Sequence, residues 1–266
     1  MASGLAIDPA PPWMAPFASG ARRLAARIEL GASVAGALSA EPVAIELSAG
    51  PLRFVPGDSA APGEAYEAFI FRTAGVPTRD NLHDLFNGLV WLHCPRAKQR
   101  LNELQAAEIA RAGIGRTRGA LRDALTLFDE NGAVLDAPPA LWDALQARDW
   151  RQLFIGRREL WRDARLRVFG HALLEKLAAP RKAATAHVLL APGASPSLTG
   201  DDAGIAAALA PEHLATKPFV PLPVLGVPGW CAQNENFSFY DDSEVFRPRR
   251  ASQPKPTKPA LQGGPA

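Results

Sequence analysis

The sequence has little cysteine, little net charge and no long apolar run. Its two cysteines, Cys94 and Cys231, are far apart and stand in different contexts. They suggest neither a disulfide framework nor a Cys-x-x-Cys metal site, so we expect reduced thiols in a cytoplasmic protein. The formal net charge of +2 at pH 7 creates no strong field for nucleic acid or an anionic membrane. No stretch approaches the roughly 20 apolar residues of a membrane span, and the N-terminus lacks a secretory signal pattern.

Several motifs of common enzyme classes are also missing. The chain contains no phosphate-binding P-loop and no Gly-x-Ser-x-Gly nucleophile elbow. The stretch "GIGRTRGALRD" departs from both the P-loop and the dinucleotide fingerprint, because it lacks the Lys-Ser/Thr pair and a preceding strand. Nucleotide cofactors and serine-nucleophile chemistry are therefore not supported.

The sequence contains enough apolar residues to build a hydrophobic core. Of the 266 residues, 47% are hydrophobic. Composition divides the chain into an Ala- and Pro-rich arm with a hairpin (1–62), a globular domain (63–248) and a disordered tail (249–266). We expect an α+β fold: a mainly helical single domain with a small β-sheet and a Pro-rich C-terminal segment that wraps over the core.

Local signals predict most of the elements of this domain. Residues 64–75 are predicted to form a short helix, and Thr78 or Asp80 is predicted to cap the next one. Pro95 should begin a third helix that ends at Gly113, and residues 138–162 should form a helical block. The turn "DENG" between two apolar runs predicts a hairpin. A strand, a turn at Gly170 and a short helix should follow, and then a buried strand at 185–190.

Several sequence blocks occur together in one order. They are "HDLFNGLVWLHCPRAKQRLN", "LTLFDENGAVL", "FGHALLEKL", "TAHVLL" and "PVLGVPGW" followed by "FYDDSEVFRP". Over about Ala65 to Pro248, the chain resembles the bacterial family named domain of unknown function 3025. The resemblance implies a cytoplasmic proteobacterial protein, and it implies no particular reaction.

The first candidate site lies in "TRDNLHDLFNGL". On a helix, His83 and Asn87 share a face, while Asp84 points about 100° away from it. A neutral imidazole among carboxylates can bind a divalent metal or act as a general base. The alternative is purely structural: Asp80 caps the helix, Asp84 stabilises its N-terminal end and His83 bonds to Asn87.

A second candidate is the pair His171 and Glu175 in "GHALLEK". Their i, i+4 spacing can supply two metal ligands, or a carboxylate that fixes the imidazole tautomer, although it is equally typical of a helix-surface pair. His187 stands in an apolar run, where a core histidine is the ordinary interpretation. If His83, His171 and His187 converge, they have the ligand types of a zinc or non-haem iron site.

Two further regions could bind a ligand. Arginines and tryptophans alternate in "RDWRQLFIGRRELWRDARLR", a pattern able to bind a small anionic ligand, while neighbouring acidic residues argue against nucleic acid. Trp230, Asn234 and Tyr240 lie in an irregular segment whose side chains could line a pocket or anchor the segment to the core.

The sequence thus leaves two hypotheses about function. The first is a cytoplasmic hydrolase that uses a histidine or a divalent metal, zinc or iron, with His83, Asp84, Asn87, His171 and Glu175 as candidate catalytic residues. The second is a non-enzymatic protein that binds an anionic ligand, a nucleic acid or a protein partner. The hydrolase hypothesis requires that His83 and His171 become neighbours in the fold.

Overall fold

The computed structural model describes residues 5–42, 45–113 and 119–249. The α-helices are α1 Ala18–Glu29, α2 Val34–Ser39, α3 Tyr66–Thr73, α4 Leu82–His93, α5 Pro95–Ala112, α6 Ala120–Asn131, α7 Pro139–Ala147, α8 His171–Ala178, α9 Asp202–Ala208 and α10 Pro211–Leu214. The strands are β1 Glu46–Leu47, β2 Gly50–Pro51, β3 Arg53–Pro56, β4 Gly75–Thr78, β5 Gly132–Asp136, β6 Arg165–Val168, β7 Thr185–Leu189 and β8 Phe219–Pro223. This composition confirms the predicted mainly helical α+β domain.

The largest sheet has four strands in the order β6-β5-β7-β8. The central strands β5 and β7 are parallel, and each edge strand is antiparallel to its neighbour. The edge strand β8 contains Pro221 and Pro223, although we expected prolines to interrupt regular structure throughout this segment. Proline is tolerated at a sheet edge because one side of that strand needs no hydrogen-bonding partner.

The N-terminal segment belongs to the same core as the rest of the domain, whereas we expected a peripheral arm. Phe17, Ala21, Leu24 and Ile28 recur at helical spacing and are all buried. Together with Met14 they join the hydrophobic cluster that includes the sheet. A hairpin was expected from the alternation of Val43, Ile45 and Leu47 with Leu52 and Phe54, and only its tip forms, as β1 and β2. Phe54 lies instead on β3, which pairs in parallel with β4. Val43 and residues 250–266 of the predicted tail lie outside the described residues.

The predicted hairpin at "DENG" is wrong. Helix α6 continues through this stretch to Asn131, and Gly132 then begins β5 in an extended conformation with φ −72°. The helix persists because Leu125 and Phe128 continue its apolar face, and Phe128 stacks on Phe169 with ring centroids 4.6 Å apart. The chain therefore turns directly from a helix into the central sheet at this point.

The other helix boundaries are close to those predicted. Helix α5 begins at Pro95, and Gly113 follows it with φ +68°, as expected. The cap of α4 is Asn81, whose side chain accepts a hydrogen bond from the Asp84 amide, so the prediction of Thr78 or Asp80 is wrong. The predicted block at 138–162 is split, since α7 ends at Ala147 and shorter helical turns follow.

No helix within the described ranges is long and apolar enough to cross a membrane.

Candidate metal centre

Three chain segments meet where α6 ends and α8 begins. The backbone amides of Phe169 and Gly170 both donate to the carbonyl of Gly132, at 2.9 and 2.8 Å. A Cβ atom on Gly170 would lie 2.5 Å from backbone atoms of Glu130 and Asn131, so only glycine permits this approach. The close contact places the first residue of α8, His171, beside the last turn of α6.

Helix α4 supplies the second histidine. It packs against α8, and its second residue, His83, faces the start of that helix. The Nε2 atoms of His83 and His171 are 3.1 Å apart, and the two rings meet edge to face with centroids 4.6 Å apart. Two histidines separated by 88 positions are therefore neighbours, as the hydrolase hypothesis required.

Carboxylates surround this histidine pair. Glu175, one turn along α8 from His171, bonds to His83 Nδ1 at 2.9 Å. On α6, Glu130 has an oxygen 3.7 Å from His171 Nε2, and Asp129 has an oxygen 3.8 Å from His171 Nδ1. His83, Glu130 and His171 each offer one atom to a group whose members all lie within 4.8 Å of one another.

Two of the distances in this group suit a single divalent cation. With metal–ligand bonds of about 2.0–2.1 Å, nitrogens 3.1 Å apart subtend an angle of about 100° at the metal. By the same geometry, the 3.7 Å between His171 Nε2 and the Glu130 oxygen corresponds to about 125°. Both angles lie within the range found around distorted four-coordinate zinc.

Hydrogen bonding assigns the protons on the two rings. Because His83 Nδ1 faces the carboxylate of Glu175, it carries the hydrogen and leaves Nε2 with a free lone pair. While both rings are neutral, a direct hydrogen bond between them would then need the proton on His171 Nε2. His171 Nδ1 would then have no hydrogen and could only accept. It is buried, has no hydrogen-bond donor among the described residues and faces an oxygen of Asp129, so two acceptors would face each other. A cation between the two Nε2 atoms removes this conflict, because His171 Nδ1 can then carry its hydrogen towards Asp129.

Burial keeps His171 in the form that binds metals. The residue is only 4% exposed, and burial lowers its pKa to about 4, against the opposing effect of the Asp129 carboxylate. The imidazole is therefore neutral at physiological pH. Burial and the neighbouring Asp129 charge raise the pKa of Glu130, although its side chain is 35% exposed. His83 is also partly exposed, so the site is open on one side.

Behind the histidines lies a buried polar chain. Lys98, 4% exposed, extends from α5 and donates to Asp129 at 2.5 Å and to the Asn87 side chain at 2.9 Å. Asn87 in turn donates to the hydroxyl of Tyr66. Burial opposes ionisation of Asp129, but the nearby ammonium group of Lys98 favours it, and the pKa of Asp129 lies below its usual value. Asp129 is thus a carboxylate that lies between Lys98 and His171.

Several residues named in the sequence analysis lie outside the group of three. The carboxylate of Asp84 accepts hydrogen bonds from the backbone and side chain of Arg79. Asn87 reaches the centre only through Lys98. His187 lies on β7 opposite Gly132, with its pKa lowered by burial and by Lys176, and it is absent from the metal-binding group found among the described residues.

The three C-terminal candidates make contacts within their own region. Asn234, fully buried, donates to the carbonyls of Leu225 and Val227, and its side-chain oxygen accepts from Arg158. Tyr240 donates to the carbonyl of Gly226. Trp230 packs against Trp13 at 5.8 Å and lines a cavity of about 550 Å³. These contacts hold the C-terminal segment on the core.

Sequence reasoning missed Glu130, Asp129 and Lys98. The two acids lie in "DENG", which we interpreted as a turn; interpreted as the end of a helix, the same letters place two carboxylates just before the central sheet. No sequence signal distinguishes Lys98 from the other cationic residues of α5. It differs from them in being buried against Asp129, which is visible only in the structure.

Comparison with known proteins agrees with the sequence blocks. The family model described as "Protein of unknown function (DUF3025)" matches residues 52–250. No curated protein matches the chain, and no solved structure does either. The matched span includes all three residues of the candidate metal centre, and it covers most of the sequence. The chain therefore belongs to the domain of unknown function 3025 family.

Proposed function

We propose that this protein is a metal-dependent hydrolase whose cation is held by His83, His171 and Glu130. The observation that carries the proposal is the 3.1 Å approach of the two Nε2 atoms: with both rings neutral, a cation between them lets each Nδ1 keep its hydrogen and face a carboxylate. Two neutral imidazoles and one carboxylate carry a total charge of −1, which suits zinc or iron in the divalent state. Glu130 thus takes the place in the ligand set that the sequence analysis gave to His187.

The surrounding residues have defined roles in this proposal. Glu175 orients His83 by a hydrogen bond to Nδ1, as carboxylates commonly do behind metal-bound histidines. An Asp129 oxygen lies 3.8 Å from His171 Nδ1, on the side where it would stabilise the Nδ1 hydrogen. The exposed side of His83 and Glu130 leaves room for water and for a substrate. A metal bound there would supply an activated water for attack on a carbonyl or phosphoryl centre.

The test is elemental analysis of the full chain, expressed without a His-tag and purified without chelators. We expect about one zinc, iron or manganese per chain, lost in separate His83→Ala, His171→Ala and Glu130→Gln variants. His187→Ala is the matched control and should retain the metal. A folded wild-type protein that stays metal-free after dialysis against each of these ions contradicts the proposal.

Anion binding is the second candidate function. One cavity of about 510 Å³ is lined by Arg148, Arg151, Trp150 and Tyr240, among others. Neither Arg148 nor Arg151 forms an ion pair among the residues that the structure describes, although Asp149 and Asp241 line the same cavity and would oppose an anion. This function gives the histidine pair no role, so a metal-free protein would favour it. The cytoplasmic location and bacterial origin expected from the sequence stay predictions.

A further inference from the structure

A surface groove runs along α6 and ends at Glu130, one of the three candidate metal ligands. Its volume is about 370 Å³, and its lining comprises Asp123, Ala124, Thr126, Leu127, Glu130, Asn131 and Lys217. Six of these residues lie on α6 at helical spacing, so they form one continuous face. The cavities next to Trp150, Trp230 and Met14 include none of the three candidate metal ligands. A substrate lying in the α6 groove would therefore reach Glu130 directly.

The far end of the groove carries one charge of each sign. Lys217 Nζ lies 3.4 Å from an oxygen of Asp123, and both side chains are about half exposed, at 54% and 45%. Such a loose pair contributes little to stability, and each group keeps hydrogen-bonding capacity for a ligand. Lys217 also has φ +56°, a left-handed conformation that glycine would adopt without strain.

The space between the two ends is short and partly apolar. Ala124 and Leu127 lie between Asp123 and Glu130. The seven-residue separation along α6 corresponds to about 10 Å at 1.5 Å per residue. A ligand that spans the groove therefore needs a head group with both charges, an aliphatic middle and a reactive bond at its other end.

We propose that the groove binds an α-amino acid whose aliphatic side chain ends in the amide or ester bond to be hydrolysed. The ammonium group contacts Asp123, the carboxylate contacts Lys217, and the side chain passes over Leu127 to Glu130. Water adds to the carbonyl carbon, the C–N or C–O bond breaks, and the leaving amine or alcohol takes up a proton while the acid is released as a carboxylate. This inference rests on the proposed function and names the substrate class of the same site.

The test uses Nε-acetyl-L-lysine, which has this head group, middle and terminal amide. Binding is followed by ¹⁵N–¹H NMR titration of the full chain, with EDTA present so that the ligand stays intact. We expect shifts of the amides of residues 123–131. Lys217→Met and Asp123→Asn should each weaken binding about fivefold, equivalent to about 1 kcal/mol. Lys182→Met is the matched control, because Lys182 forms a similar exposed pair with Asp242 outside the groove.

Two further ligands, each lacking one of the two charged groups, test the two contacts separately. Nα,Nε-diacetyl-L-lysine lacks the ammonium group and should be insensitive to Asp123→Asn, whereas Nε-acetyl-L-lysinamide lacks the carboxylate and should be insensitive to Lys217→Met. Equal affinity for all three ligands, or no saturable shift along α6, overturns the inference. Because the titration needs no metal, this failure is distinct from failure of the metal analysis. Binding without zinc-dependent release of acetate overturns the assignment of this ligand class as substrate.

Discussion

Replacing Lys98 by methionine tests the buried polar chain behind the metal centre. Lys98 is 4% exposed, and its ammonium lies 2.5 Å from Asp129 and 2.9 Å from Asn87. Methionine keeps much of the side-chain volume, so packing changes little. The carboxylate of Asp129 would remain buried without its counter-charge. Breaking a buried pair in this way costs about 3–5 kcal/mol of unfolding free energy.

The assay is urea denaturation of the wild type, Lys98→Met, Asp129→Asn and the double variant. Because the second substitution removes the unpaired charge, we expect the double variant to lose less stability than the two single variants together, by more than about 1 kcal/mol. If the proposed site binds zinc, Lys98→Met should also weaken that binding by about tenfold or more, since Lys98 holds the Asp129 carboxylate that faces His171 Nδ1. A loss of stability below about 1 kcal/mol, with additive effects, would refute the reasoning, because it would mean that water screens the pair.

Two further predictions concern other parts of the molecule. Burial opposes ionisation of Glu41, but Arg23 and Arg27 outweigh it and hold the pKa of this carboxyl below its usual value. Glu41→Gln should therefore cost about 1 kcal/mol at neutral pH. Urea titrations should show this difference shrinking as the pH falls from about 4.5, where the unfolded carboxyl takes up a proton, through the lowered pKa of the folded carboxyl. Gly170→Ala should cost about 1–3 kcal/mol and weaken metal binding, because its methyl group would meet the backbone at the end of α6. Gly119→Ala, at the other end of α6, is the control for metal binding, which it should leave unchanged.

Much of the helical framework could be predicted from local signals. Pro95 and Gly113 delimit α5 because proline suits a first helical turn and glycine adopts positive φ after the last one. The apolar spacing of α4 and the alternation of β7 likewise depend on residues close in sequence. In these elements, local preference and tertiary packing agree.

The prediction failed where two local patterns competed. "DENG" has the composition of a turn, but the apolar face of α6 extends through it and packs on Phe169. The N-terminal segment is rich in alanine and proline, yet Phe17 and Leu24 find partners in the core. Which pattern prevails depends on distant contacts, and a short sequence window does not contain them.

The candidate site, too, could be predicted only in part from the sequence. The pairing of His171 with a carboxylate one turn away was visible in the sequence, but Glu175 bonds to His83 and not to its own helical neighbour. The convergence itself depends on Gly132 and Gly170, which bring the end of α6 against the start of α8. Residues brought together in this way have no characteristic separation in the sequence, so Glu130 could be identified only from the structure.

The most direct test of the central claim is X-ray absorption spectroscopy at the metal edge of the zinc-loaded full chain. The proposed site predicts two imidazole nitrogens and carboxylate oxygen at about 2.0–2.1 Å, with one imidazole lost in His171→Ala and none lost in His187→Ala. A spectrum with no imidazole scattering, or one that is unchanged in His171→Ala, would contradict it.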